Sequence, residues 1–185
     1  MPGILGWTYH PWAKRHTYYP QLVLGLCLSW SVVMECLAVG LPILRGADSD
    51  NTSQATVRMF AACTLCAIAY DTIYAHQDLA DDHKAGIKCL AVLHRGNTKP
   101  LMWRLLLAMT PLLIMCGRLG NLPVMYYSVP VLGSAGSLSV MIWKVDLRSS
   151  SSCWWCFGNG FWLVGASFVG GLLMELVLSP RAGVE

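Results

Sequence analysis

Four of the seven aspartates of this chain are gathered within residues 70–88, a polar island with long apolar runs on both sides. Read as a helix, Asp71, Tyr74, Asp78 and Asp82 recur at intervals of three, four and four residues and fall near one stripe. Carboxylates stacked on one face repel one another unless a hard cation sits between them, and Mg²⁺ is the usual choice when a substrate brings phosphates. Lys84 and Lys88 follow one turn apart, with the charge to hold an anion. Residue types and spacing together describe a place where a metal ion and a phosphate meet. His76 and His83, in the same island, are read as surface or hydrogen-bonding groups, because Mg²⁺ prefers oxygen.

The elements that must position this island are apolar. Over 185 residues the chain is 55% hydrophobic and 12% charged, with a mean hydropathy of +0.50, which excludes an ordinary soluble domain. The net charge of +3 gives no reason to expect a nucleic-acid partner. Five apolar segments stand out, at about 22–44, 55–70, 101–117, 122–143 and 153–178. A bilayer core takes roughly 20 apolar residues per helix, and none of the runs alternates with period two as a strand would. The expected fold is all-α, an integral membrane bundle of about five spans in a single domain over 1–185, with the lipid bilayer as a partner. Trp103, Trp143, Trp154 and Trp155 lie near predicted helix ends, as an interfacial belt requires. The eight cysteines sit mostly inside apolar runs and read as small packing residues; Cys63/Cys66 and Cys153/Cys156 have CxxC spacing but lack a second ligand pair for zinc.

Charge gives the sidedness. With the N-terminus on side one and five spans, that side holds Lys14, Arg15, Lys84, Lys88, Arg95, Lys99, Arg104, Lys144 and Arg148. Side two holds Arg45, Arg58, Arg118 and Arg181. The positive-inside rule assigns side one to the cytosol, or to a mitochondrial matrix. The aspartates and the Lys14-Arg15 pair then share a side. A sequon at Asn51 falls on side two and fits an endoplasmic reticulum membrane, although its loop is short and an unused sequon is the favoured reading.

Two stretches carry a resemblance. Tyr70-Asp71-Thr72-Ile73-Tyr74-Ala75-His76-Gln77-Asp78, followed by Asp81-Asp82 and Gly86-Ile87-Lys88, resembles the second aspartate-rich motif of the UbiA-type membrane prenyltransferases. Residues 11–21, Pro-Trp-Ala-Lys-Arg-His-Thr-Tyr-Tyr-Pro-Gln, resemble the family's basic loop ahead of its fifth helix. A softer likeness, in Cys153-Trp154-Trp155 and Asn159-Gly160-Phe161-Trp162, points to fungal members that prenylate aromatic polyketides. The resemblance implies a nine-helix fold in which two aspartate motifs face each other over a Mg²⁺-bound isoprenoid diphosphate. It covers only the C-terminal part of that fold: the first motif, Asn-Asp-x-x-Asp, is not in this sequence, and Asp48, Asp50 and Asp146 do not reproduce it. An N-terminal half is the partner so implied, and the chain by itself is expected to be incomplete and inactive. Departures from the family pattern are His10 before Pro11, Ser29 before Trp30, and Glu35 within the first apolar segment, where it shapes an acceptor pocket or snorkels.

Within that resemblance, residues 1–21 are expected as a basic loop and 71–100 as an aspartate-rich cytosolic loop. The implied reaction is transfer of a prenyl group to an aromatic acceptor. Asp78 and Asp82 would ligate Mg²⁺, with Asp81 a secondary candidate. Lys88, with Lys14 or Arg15, would neutralise phosphate oxygens. Tyr74 would orient a phosphate or face the carbocation, and Asp71 would support the ligands or cap a helix. Polyketide-type acceptors lead 4-hydroxybenzoate on the softer likeness, and the endoplasmic reticulum is placed ahead of the mitochondrial inner membrane. The alternatives are a non-catalytic membrane remnant that binds a protein or lipid, a 4-hydroxybenzoate polyprenyltransferase of ubiquinone biosynthesis, and an ion-coupled transporter. The last should show internal repeat symmetry, and none is visible.

Overall fold

A computed structural model describes residues 2–41 and 51–178. Arg45, Asp48, Asp50 and Arg181 lie outside the described residues. Every regular element described is helical. The long helices are α1 (Pro2–His16), α2 (Pro20–Ala38), α3 (Asn51–Ala75), α6 (Thr98–Leu119), α8 (Leu132–Lys144) and α9 (Ser150–Leu178). Short helices α4 (Leu79–Lys84) and α5 (Leu90–Leu93) link α3 to α6. Another, α7 (Val124–Tyr126), runs through a π-helical turn, Tyr127–Val131, into α8. Pro130 cannot donate a backbone hydrogen bond, and it falls in the π-turn, where the ladder is already displaced.

Among the described residues four helices are long and apolar enough to cross a membrane: α2, α3, α6 and the rod Val124–Lys144. Five spans are expected from the sequence. The fifth segment folds as α9, a 29-residue helix that is apolar over most of its length.

The core forms around α3. It packs between α2 and α6 and also meets α9. Ala62, Ala69, Tyr70 and Ile73 of α3 bury against Met102, Leu106, Met109 and Leu113 of α6 and Leu138 and Met141 of α8. Small residues set the close approaches, as helix pairs in lipid require. A methyl on Gly25 would come within 2.9 Å of the Thr64 carbonyl. One on Gly171 would overlap the Pro130 ring, and one on Gly6 the Cys27 sulfur. Hydroxyls inside the apolar helices return to their own backbone: Thr64 donates to Phe60 O, Thr72 to Ile68 O and Thr110 to Leu106 O.

Residues 1–21, expected as a loop, are largely helix. α1 carries Lys14 and Arg15 in its last turn, and only residues 17–19 break before α2. Within 71–100, Asp71 and Tyr74 belong to α3 itself. The single helical stripe through Asp71, Tyr74, Asp78 and Asp82 is therefore broken. α3 stops at Ala75, the amides of His76 and Gln77 turn back to Ile73 O and Tyr74 O, and Asp78 occupies the N-cap position of α4. Asp at an N-cap and acidic residues in a first turn suit the positive helix end. Three carboxylates along one unbroken face would repel.

Candidate active site

The polar groups meet where the end of α1, the end of α3 and the α4 segment converge. α4 ends in a Schellman turn: Ile87 N–H donates to Asp82 O and Gly86 N–H to His83 O, with Gly86 at φ +69°. The turn throws Lys88 back onto α1. Its backbone N–H donates to Lys14 O at 2.8 Å, and its ammonium lies 5.6 Å from the centre of the Tyr18 ring. Two residues on, Leu90 N–H donates to Oε1 of Gln21, a side chain only 1% exposed at the start of α2. The acidic segment is thus clasped to the α1–α2 junction at two points.

Lys14 is the electrostatic centre. Its ammonium acts on Asp71 and His10 on one side and on Asp82 on the other. Burial raises the Asp82 carboxyl above its usual range; Lys14 opposes this, and the Asp78 and Asp81 carboxylates add to it. Carboxylates crowded this way gain from a cation between them, and oxygen donors suit Mg²⁺. Asp78 and Asp82 supply oxygen donors of the kind a hard cation takes. Among the described residues no three His, Cys, Asp or Glu side chains converge into a ligand set. Burial lowers the His10 imidazole, with Asp71 opposing and Lys14 reinforcing. Gln21 sits beside Asp71, and its Nε2 closes no hydrogen bond.

Below this polar mouth lies an apolar cavity of about 450 Å³. Its walls come from α2, α3, α6 and α9, including Leu28, Ala62, Leu113, Phe161 and Phe168, and Asp71 stands in the lining. Tyr70 braces one wall. Its hydroxyl donates to Gly160 O at 2.7 Å, and its ring meets Phe157 and Phe161 edge-on. Ser29 also lines the cavity, with a buried hydroxyl that has no partner.

The expected residues do not all gather. Lys14, Asp71, Asp82 and Lys88 come together, and Asp78 joins them through the N-cap of α4. Arg15 is exposed at the end of α1. Asp81 is paired with Lys84 at 3.4 Å on an open surface, where such a pair contributes little. Tyr74 packs its ring against Phe157 and Trp154 of α9. Asp71 lies in the C-terminal part of α3, so the helix-cap reading of it is incorrect. Glu35 is exposed on α2 and outside the cavity lining, so it shapes no pocket there. Sequence reasoning gave no role to Gln21 or Tyr70. The signal for Gln21 was a lone amide in the first turn of an apolar helix.

Residues 2–166 match the UbiA prenyltransferase family. The chain belongs to this family. A mitochondrial 4-hydroxybenzoate polyprenyltransferase of Schizosaccharomyces pombe is 37% identical over 161 residues, 85% of this chain and 43% of that protein. UbiA prenyltransferase claS of Ampulloclitocybe clavipes is 31% identical over 183 residues, 99% of this chain and 54% of that protein. A 4-hydroxybenzoate octaprenyltransferase of Hahella chejuensis is 33% identical over 171 residues, 92% and 53% respectively. The chain thus spans about half the length of these relatives. No solved structure matches it. As in any UbiA-type bundle, the apolar helices place the protein in a membrane.

Proposed function

We propose that this chain forms the C-terminal half of a Mg²⁺-dependent prenyltransferase that moves a prenyl group from an isoprenoid diphosphate to an aromatic acceptor. The observation that carries the reading is that Asp71 lines a largely apolar cavity while Lys14 acts on both Asp71 and Asp82. A prenyl chain is apolar and its diphosphate is densely anionic, so a site for it needs this division.

The apolar walls hold the chain and keep water from the allylic carbon as its C–O bond breaks. Lys14 and Lys88, with Arg15 at the rim, neutralise the oxygens of the departing diphosphate. Asp78 and Asp82 would hold Mg²⁺, which when bound supplies further charge neutralisation at those oxygens. The acceptor ring attacks the freed carbon and loses a proton. Asp71 and the unpaired Ser29 hydroxyl are the polar atoms available to orient it. Ligands for the opposite face of the diphosphate would come from an N-terminal half bearing Asn-Asp-x-x-Asp.

The acceptor has two readings. The likeness of residues 153–162 to fungal members that prenylate aromatic polyketides supports a polyketide-type ring, and the sequon at Asn51 supports an endoplasmic reticulum location. The higher identity to the fission-yeast protein supports 4-hydroxybenzoate and a mitochondrial inner membrane. The test is expression in microsomes lacking the endogenous enzyme. Geranyl, farnesyl and geranylgeranyl diphosphates are each offered with 4-hydroxybenzoate and with an orsellinic-acid-type acceptor. Product should form only when the N-terminal half is co-expressed, and the acceptor used decides between the readings. Robust Mg²⁺-dependent product from this chain alone overturns the two-half arrangement, and none from the complete pair overturns the activity.

A further inference from the structure

A second hollow opens on the same face of the bundle, behind α4. It measures about 900 Å³ and lies where the end of α3, the start of α6, the end of α8 and the start of α9 meet. Arg95, Lys99, Lys144 and Arg148 all line it, against one acidic residue, Asp146. Asp146 is partly spent: its Oδ1 accepts the Arg148 backbone N–H at 3.0 Å. Lys99 donates to Trp143 O at 3.3 Å. Arg95, Lys144 and Arg148 form no side-chain hydrogen bond or ion pair among the described residues. Gln77 also lines the hollow, and its Nε2 is a buried donor with no acceptor. The N-termini of α6 and α9 open at the same place, and helix starts favour negative charge.

We infer that this hollow is an anion site, separate from the aspartate-bearing mouth, that takes the phosphate of an acidic membrane lipid. Positive-inside charges need only be on the right side of the membrane. These four converge on one concavity with a spare amide donor, which is the arrangement a phosphate oxygen needs. The depth identifies the source. Trp143, Trp154 and Trp155 are all well exposed at the same helix ends, at the level where indole rings meet headgroups. The phosphate that the bilayer itself presents at that level is the lipid's. Leu79 and Ala80 of α4 form part of the wall, so an occupied hollow would steady the helix that carries Asp82 on the active-site side.

The test is native mass spectrometry of the full chain released from bilayers mixing phosphatidylserine with phosphatidylcholine. Phosphatidylserine should be retained preferentially, and Arg95→Gln should lower that retention by roughly fivefold, with Arg95→Gln/Arg148→Gln lowering it further. Lys84→Gln/Arg104→Gln removes two cations from the same face outside the hollow and should leave retention unchanged. Added inorganic pyrophosphate should fail to displace the lipid. Arg95 is exposed and unpaired, so the single variant should fold even where the double does not. Equal retention of both lipids, equal loss in the outside-charge variant, or displacement by pyrophosphate with no lipid preference would each overturn the proposal.

Discussion

The backbone N–H of Lys88 donates to the carbonyl of Lys14 at 2.8 Å, so two basic residues from distant parts of the chain are joined through their main chains and their side chains take no part in the bond. The turn at Gly86 makes this possible, at φ +69° with nothing near enough to touch an added Cβ. Gly86→Ala should therefore act through backbone strain alone, costing about 1–2 kcal/mol. Hydrogen exchange at the Lys88 and Leu90 amides should accelerate. Unchanged exchange at both would show that the turn does not hold the clasp.

Removing a carboxylate should silence chemistry without unfolding the bundle. In the complete two-half protein, Asp78→Ala or Asp82→Ala should lower prenyl transfer by at least about 10²-fold. Membrane insertion should persist, because Asp78 is exposed and Asp82 only half-buried. Near-normal turnover of both variants at limiting Mg²⁺ rules out their metal role.

The close approach of α9 to the π-turn should tolerate no side chain. Gly171→Leu would drive atoms into Pro130, and overpacking of this kind costs about 1–3 kcal/mol. Gly170→Leu, with open space around it, is the control. Matching thermal midpoints in detergent for the two variants would contradict the packing.

Acid should destabilise the α1 end. Burial, the larger cause, and Lys14 lower the His10 imidazole below its ordinary value of 6.5, against the opposing pull of Asp71. A ring with a lowered folded value takes up its proton more readily in the unfolded chain. Its contribution is complete above pH 6.5 and is lost as pH falls toward the lowered folded value. His10→Gln should flatten this fall. His76, also lowered mainly by burial, with the Leu147 backbone opposing, should keep the remainder. A thermal midpoint equally acid-sensitive in His10→Gln and the parent would remove His10 from the account.

Sidedness is checkable with two engineered thiols. Asn121 lies between α6 and α7, and Arg148 between α8 and α9, at opposite ends of the rod Val124–Lys144. Asn121→Cys and Arg148→Cys should react with impermeant reagents from opposite faces, Arg148→Cys from the face carrying Lys14. Labelling of both from one face refutes the arrangement.

Much of this was legible because lipid leaves the backbone few choices. Apolar runs of bilayer length become helices, and basic residues sort them by side, so the rod Val124–Lys144 followed closely from the run at 122–143, while α3 and α6 extend two to five residues past each end of theirs. The break at 76–78 was not legible. Spacing of three and four is compatible with one helix, and only the cost of aligning Asp71, Asp78 and Asp82 hinted at a stop. The ring contacts of Tyr74 were hidden for a related reason. Its position near Asp78 in sequence says nothing of Phe157, which arrives from a helix far along the chain and takes up its ring. The roles of Gln21 and Tyr70 depend on partners 69 and 90 residues away, contacts that no local pattern encodes.

The Gln21–Leu90 hydrogen bond also has a consequence for biogenesis. Chains are made from the N-terminus, and α1 and α2 emerge long before residue 90. Until then the Gln21 carboxamide has no Leu90 amide to accept, and the end of α1 has no Lys88. α3 must first re-cross the bilayer and α4 must turn before either bond can close. Assembly of the aspartate-bearing mouth is therefore a late event, gated by membrane insertion of the helix pair on which it is built.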